Sequence, residues 1–121
     1  MSPLAQVVYD ILRSRPGLPD PRISYAELAR QLREVDEQFE PVSHRSRELY
    51  AALGEVADEC RRLGLPSLAA LVVRADTRRP GDAYYEGMGA HLRYRGEQIA
   101  AWRRDLEAVR RSVYPPRGGS A

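Results

Sequence analysis

Residues 24–32 read Ser-Tyr-Ala-Glu-Leu-Ala-Arg-Gln-Leu, and this stretch decides how the fold is interpreted. Ser24 and Glu27 form a capping box, because the serine hydroxyl accepts from the Glu27 backbone N–H while the glutamate reaches back to the Ser24 amide. The apolar residues of the stretch keep helical spacing and form one face: Tyr25, Leu28, Ala29 and Leu32. The sequence therefore predicts a short helix that opens at Ser24.

A loop and a first helix precede this capped helix. Three prolines and Gly17 fall within residues 14–21, where they remove backbone donors and fix φ, so no regular element passes through. Upstream, apolar residues recur with the spacing of one buried helical stripe: Leu4, Val7, Val8, Ile11 and Leu12. We therefore expect a helix over residues 3–13, followed by a loop.

A longer helix is expected after the capped one. Residues 35–41 contain three acids and a proline, which break the helical pattern. Ser43 and Ser46 are both candidate N-caps for the next helix. Its apolar spacing runs from residue 49 to residue 63, and Gly64 and Pro66 then end it. The outer face of this third helix is acidic.

The pattern changes after Pro66. Residues 68–75 and 82–85 flank a segment of turn composition, Asp-Thr-Arg-Arg-Pro-Gly at residues 76–81, which predicts a β-hairpin with an arginine-bearing tip. A final helix is expected from about Arg95, with an apolar face formed by Ile99, Trp102, Leu106, Val109 and Val113. Residues 115–121 are expected to be a flexible C-terminal tail.

The predicted fold class is mainly α (α+β), with the order helix, helix, helix, β-hairpin, helix. This is the plan of a winged helix-turn-helix, in which the second helix of the pair and the wing approach a duplex. A chain of 121 residues is about the size of one domain, which we place at residues 1–114. The plan is shared by many small α+β domains, and about ten residues separate the two helices of the pair, more than in the simplest motif of this kind.

Charge restricts the choice of partners. All 19 basic residues are arginines, and 17 acids leave a net charge of +2, too little for a histone-like protein that coats polyanions. The arginine-only composition reflects either genomic base composition or a use for bidentate contacts to phosphate and base edges. Residues 1–64 carry nine arginines and eleven acids, whereas residues 65–121 carry ten arginines and six acids. The basic surplus therefore lies with the predicted hairpin and the last helix.

Few residues suit metal binding, redox chemistry or membrane insertion. Cys60 is the one cysteine, which excludes an internal disulfide and a cysteine-based zinc cluster, and its apolar neighbours predict a buried thiol. His44 and His91 have no second histidine and no cysteine at helical spacing, so we expect no metal site and no cofactor. No apolar run approaches the roughly 20 residues that span a bilayer, so we expect a soluble cytoplasmic protein without a membrane partner.

Three segments resemble a known family. Residues 23–29, Ile-Ser-Tyr-Ala-Glu-Leu-Ala, are similar to the Val-Thr-Tyr-Gly-Glu-Leu-Ala opening of the DNA-binding domain in O6-alkylguanine-DNA alkyltransferases and alkyltransferase-like proteins. Residues 47–53 resemble the recognition helix of that family, and residues 71–76 resemble the strand that follows its active site. The resemblance covers less than half of the chain, and it implies a winged-helix DNA-binding scaffold.

The same resemblance implies that alkyl transfer is lost. The family's Pro-Cys-His-Arg motif, whose cysteine accepts the alkyl group, corresponds here to Leu-Ala-Ala-Leu at residues 68–71. In the family, the tyrosine of the second helix and the arginine that opens the recognition helix handle the target nucleotide in the minor groove. Tyr25 and Arg47 occupy the matching positions. Each also has an ordinary explanation, as a core aromatic and as a solvated residue of a first helical turn.

Three classes of function remain open. The leading hypothesis is a noncatalytic protein that binds duplex DNA, either as a regulator or as a sensor of lesions or DNA structure. Its candidate DNA-binding residues are Tyr25, His44, Arg45, Arg47, Arg74, Arg78 and Arg79. The alternative is a protein-interaction module, such as an adaptor, inhibitor or immunity-type protein, that uses its acidic helix face or the aromatic residues Tyr84, Tyr85 and Trp102. An enzyme of unrecognised type is the third class, and the oligomeric state stays open.

Overall fold

The computed structural model describes residues 1–86 and 94–117 and is mainly helical. The α-helices are α1 (Pro3–Arg13), α2 (Tyr25–Val35), α3 (Arg47–Arg62), α4 (Asp82–Glu86) and α5 (Arg95–Arg110). Two 3₁₀ turns lie at Glu37–Phe39 and Leu68–Leu71. Strands β1 (Ile23–Ser24) and β2 (Val72–Val73) form a two-stranded parallel sheet, in which Ile23 pairs with Val72 and Ser24 with Val73. None of the described helices is long and apolar enough to cross a membrane.

The capping signals of the sequence act as predicted at the start of α2. The Ser24 hydroxyl accepts a hydrogen bond of 3.0 Å from the Glu27 backbone N–H, which satisfies one of the free donors of the first turn. The Glu27 carboxylate, however, binds Arg30 at 2.8 Å and Gln31 at 3.2 Å. The capping box is therefore half formed, and α2 begins where the sequence places it.

The core lies where α1, α3 and the Leu68–Leu71 turn meet. Its largest fully buried aliphatic side chains include Val8, Leu12, Leu49, Val56, Leu68 and Leu71. Burial of each such side chain contributes roughly 1.5–3 kcal/mol, so this layer supplies much of the free energy of folding. Cys60 is fully buried in the same layer, as its neighbours predict.

The prediction of a β-hairpin is wrong. Leu68–Leu71 form a 3₁₀ turn, only Val72–Val73 is extended, and Asp82–Glu86 is a helix. Both valines are buried, so the strand lacks the alternation that a half-exposed hairpin strand shows. Its partner is instead β1, a parallel strand that precedes α2 and α3 in the chain. The order is therefore helix, strand, helix, helix, strand, helix, helix within the described residues.

The predicted hairpin tip is a closed turn at residues 74–79. The Arg74 N–H donates to the Arg79 carbonyl at 2.8 Å, and the Arg78 N–H donates to the Arg74 carbonyl at 2.9 Å. Arg78 has a φ of +57°, in the left-handed region that a β-carbon disfavours. The turn thus holds two neighbouring arginines in different backbone conformations.

Asp20 joins the proline-rich loop to this turn. Its carboxylate pairs with Arg22 at 2.9 Å and with Arg78 at 3.2 Å. These hydrogen bonds, that of Arg22 foremost, hold the pKa of Asp20 well below its usual range. The Arg78 side chain is therefore engaged with the loop before α2.

Residues 115–117, which follow α5, contact α1. Trp102 and Val109 are buried on α5, whereas Val113 lies beyond the helix and is 88% exposed, contrary to its predicted place on the apolar face. The Tyr9 hydroxyl donates to the Pro115 carbonyl at 2.6 Å, and Arg117 pairs with Asp10 at 2.6 Å. Residues 118–121 of the predicted tail lie outside the described residues.

We predict that the Arg78→Gly variant is more stable than the Arg78→Ala variant. Both changes remove the guanidinium and its ion pair with Asp20, so their difference reports the backbone at φ +57°. Glycine tolerates this conformation, and we expect its free energy of unfolding to exceed that of alanine by about 1 kcal/mol. Urea unfolding at neutral pH measures the difference. Equal stabilities would show that the turn is not left-handed at this position.

A candidate nucleic-acid interface

Three segments that are distant in sequence meet at one open cleft. They are the start of α2, the loop before α3, and the turn at residues 74–79 with the start of α4. The cleft has a volume of about 640 Å³, and its lining includes Tyr25, His44, Arg45, Tyr50, Arg74 and Asp76. Four of the seven candidate residues of the sequence are therefore brought together: Tyr25, His44, Arg45 and Arg74.

Tyr25 lies at the centre of this arrangement. Its ring centroid is 5.5 Å from that of Tyr50, and its hydroxyl accepts a hydrogen bond of 3.0 Å from the Gly81 backbone N–H. Because an N–H can only donate, the tyrosine keeps its own proton for another partner. Burial raises the pKa of Tyr25, so the hydroxyl remains a donor at neutral pH.

Glycine at position 81 permits this contact. A β-carbon on Gly81 would lie 3.3 Å from the Tyr25 hydroxyl oxygen, closer than ordinary van der Waals contact. The backbone of the segment that follows the turn therefore lies close against Tyr25. The hydrogen bond from Gly81 holds the Tyr25 hydroxyl in the lining of the cleft.

A second depression of about 450 Å³ adjoins the first and shares Tyr25, Tyr50 and Ala83 with it. Its remaining lining is partly apolar, with Leu53, Ala57 and Ala69, and partly polar, with Asp58, Arg61, Ser67, Tyr84 and Asp105. The Tyr84 hydroxyl donates to Asp105 at 2.5 Å. Burial, followed by this contact, raises the pKa of Tyr84 far above its usual value, so the hydroxyl keeps its proton.

A third depression of about 220 Å³ lies between the turn at residues 74–79 and the start of α5. It shares Arg74 and Asp82 with the first cleft, and Thr77, Arg79, Tyr85 and Arg95 also line it. The Arg95 guanidinium carbon lies 4.8 Å from the centroid of the Tyr85 ring, a cation–π contact. The first cleft therefore adjoins both the second and the third depression.

The candidate arginines differ in whether their charge is neutralised. Arg74 pairs with Asp76 at 2.9 Å, and Arg78 pairs with Asp20. Within residues 1–86 and 94–117, the ion pairs do not include Arg45, Arg47 or Arg79. Arg47 is exposed as the first residue of α3 but does not line the three depressions.

Sequence reasoning missed Tyr50 and Arg95 of this surface, and it named Tyr85 only as a candidate contact for a protein partner. A signal existed for Tyr50, because the buried positions of α3 leave residue 50 on its outer side, where a large aromatic is uncommon. Tyr85 was predicted to lie in a strand, and its place against Arg95 depends on the helical conformation of α4. No local pattern predicts that contact.

The described residues offer little for covalent or metal chemistry. They contain no group of three or more histidine, cysteine or acidic residues that could hold a metal ion. Cys60 is fully buried, and desolvation raises the pKa of its thiol, so little of the nucleophilic thiolate is present. His44 is exposed at the rim of the cleft, next to Arg45.

Comparisons of the chain with family models, with curated proteins and with solved structures find no match. Function is therefore inferred from the geometry of the cleft, the burial of Tyr25 and the pairing of the arginines.

We predict that Cys60 is unreactive in the folded protein. Incubation with a duplex that contains O6-methylguanine should leave its mass unchanged, because the thiol is buried and its pKa is raised. A small aromatic disulfide should likewise react with Cys60 only after denaturation, which serves as the positive control. Intact-mass spectrometry reads both reactions. A gain of one methyl group on Cys60 would overturn the assignment of this thiol to the core.

Proposed function

We propose that the protein binds duplex DNA without catalysing a reaction on it, as a regulator or as a sensor of lesions or DNA structure. The observation that supports this most is the cleft itself, in which Tyr25, His44, Arg45 and Arg74 come together from three separate segments. Arginines contact phosphates, and aromatic rings stack on bases, so this combination suits nucleic acid.

The arginines around the cleft supply the phosphate contacts. Arg45, Arg47 and Arg79 are exposed and carry no carboxylate partner among the described residues. A guanidinium presents a rigid fork of donors that fits phosphate oxygens, and its charge is never lost at neutral pH. Three such contacts would give a slope of log affinity against log salt of roughly −3.

The second depression favours a sensor over a simple regulator. Its volume of about 450 Å³ lies within the range of small-molecule sites, and Tyr25 and Tyr50 flank it on the side of the main cleft. Under the resemblance to alkyltransferases, Ala69 in its wall stands where that family carries the reactive cysteine. The cavity would then receive an unpaired or damaged base and leave it chemically unchanged.

A second candidate function is the binding of a protein partner. Four carboxylates line the same three depressions: Asp58, Asp76, Asp82 and Asp105. Such carboxylates repel phosphate and attract a basic peptide or protein surface. If the protein fails to bind duplex DNA at low salt, this candidate replaces the first.

We predict that the double variant Arg45→Ala, Arg79→Ala loses DNA affinity and keeps its stability. Both side chains are exposed, so the free energy of unfolding should change by less than about 0.5 kcal/mol for each. The affinity for a labelled duplex should fall about tenfold or more at low salt, and the salt slope should become shallower by about 2. Fluorescence anisotropy at several salt concentrations measures both effects.

The matched control is Arg103→Ala, Arg104→Ala. These exposed residues of α5 make the same change in net charge without lining the three depressions. A loss of affinity as large as that of the first double variant would show that general charge, and not the cleft, holds the DNA.

We predict that the parent protein prefers a duplex with one unpaired base to a fully paired duplex, and that Tyr50→Ala abolishes this preference. Base stacking on an aromatic side chain contributes about 1–3 kcal/mol. The affinity of Tyr50→Ala for the duplex with the unpaired base should therefore be lower than that of the parent by roughly 5- to 150-fold. Affinity for the paired duplex should hardly change. Tyr94→Ala is the control, because Tyr94 is 72% exposed and does not line these depressions. Equal affinities of the parent for both duplexes would contradict the role of a sensor.

A further inference from the structure

The third depression concentrates positive charge in a small volume. Its lining includes three arginines, Arg74, Arg79 and Arg95. Asp82 is the one acidic residue among its lining residues. Arg95 pairs with Asp82 at 3.3 Å. The pair is solvent-exposed, and ion pairs of this kind are weak, so an anion with more charge can displace it.

Tyr85 supplies an independent observation. The residue is 5% exposed, and its buried hydroxyl has no partner at ordinary hydrogen-bond geometry among the described residues. The Arg95 guanidinium beside it can only donate, so the hydroxyl proton lacks an acceptor. A buried polar atom without a partner is uncommon in native proteins, because its lost hydration is not replaced. The hydroxyl belongs to a residue that lines the depression, beneath the Arg95 guanidinium that lies over its ring. An anion between these groups would give the hydroxyl the acceptor it lacks.

We propose that this depression binds one phosphoryl group, held by the guanidiniums of Arg74, Arg79 and Arg95 and by the Tyr85 hydroxyl. The oxygens of a phosphoryl group can accept from several donors at once, which suits planar guanidiniums approaching from different elements. Arg74 and Arg95 would exchange their exposed aspartate partners for the anion. Arg95 would swing from its place over the Tyr85 ring and so open the hydroxyl to the bound oxygen.

The position of the depression connects it to the main cleft. Arg74 and Asp82 line both, so a bound phosphoryl group would lie at the rim of the cleft that contains Tyr25. Identifying the anion as a backbone phosphate of DNA rests on the proposed function. The binding of a phosphoryl group by itself does not, because a free phosphate ester has the same chemistry.

Inorganic phosphate is the probe for the site. Thermal unfolding is followed as phosphate replaces chloride at constant ionic strength, with the parent protein and the Tyr85→Phe variant. Without phosphate, we expect Tyr85→Phe to melt at the same or a higher temperature than the parent, because the change removes a buried hydroxyl whose proton has no acceptor among the described residues. With phosphate, the parent should gain stability, and the variant should bind the anion at least about fivefold more weakly.

Tyr9→Phe is the matched control. It removes a hydroxyl that donates to the Pro115 carbonyl, so it should lower the melting temperature without phosphate and leave the response to phosphate unchanged. The Arg79→Ala variant should lose most of the response to phosphate and keep its melting temperature in chloride.

Competition with a labelled duplex separates the two sources of the anion. If phosphate displaces the duplex from the parent and Tyr85→Phe weakens duplex binding, the site takes a backbone phosphate. If phosphate stabilises the parent through Tyr85 but no duplex binds, the phosphoryl site is confirmed and takes a free phosphate ester. The proposed DNA-binding function is then wrong. If the parent and Tyr85→Phe respond equally to phosphate, or neither responds, the proposed phosphoryl site is overturned even where DNA still binds.

Discussion

The pairing of Ile23–Ser24 with Val72–Val73 is the constraint on which the candidate site depends. Nearly fifty residues separate the two strands, and only two residues of each are paired, yet this contact brings the start of α2 beside the segment that leads into the turn. Tyr25 follows β1 directly, and Gly81 follows β2 by way of the turn. The hydrogen bond between them at 3.0 Å is a consequence of that register. Without the sheet, the cleft would lose its floor.

Local signals predicted the helices because each such signal acts within a few residues. The cap at Ser24 and the apolar face of α1 depend on nearby side chains, and the structure confirms them. Helix α3 begins after Ser46, one of its two candidate N-caps, but the Ser46 hydroxyl makes no capping hydrogen bond. The sheet could not be found in the same way, since two-residue parallel pairing leaves no alternation to detect. The segment at Val72 therefore suggested a hairpin, and the five residues of α4 were too few to show helical spacing.

The residue types of the candidate site were predictable from the sequence, but the contacts between distant segments that bring them together were not. Tyr25, Arg45 and Arg74 were chosen from the sequence, and the structure places them in one cleft. Adjacent arginines such as Arg78 and Arg79 look equivalent in sequence, but the left-handed backbone and the carboxylate of Asp20 hold one of them to another loop. Which arginines remain unpaired depends on contacts between distant segments, and composition cannot reveal those contacts.

Ser24 is at once the last residue of β1, the N-cap of α2 and the residue before Tyr25. No spacer separates these three roles, so the chain has no room to absorb a change of length here. One residue inserted after Ser24 would rotate the following helix by about 100° relative to the strand, because an α-helix has 3.6 residues per turn. Tyr25 would leave Gly81, and the buried face of α2 would turn from the core. An insertion or deletion at Ser24 would therefore disrupt the core and the cleft at the same time.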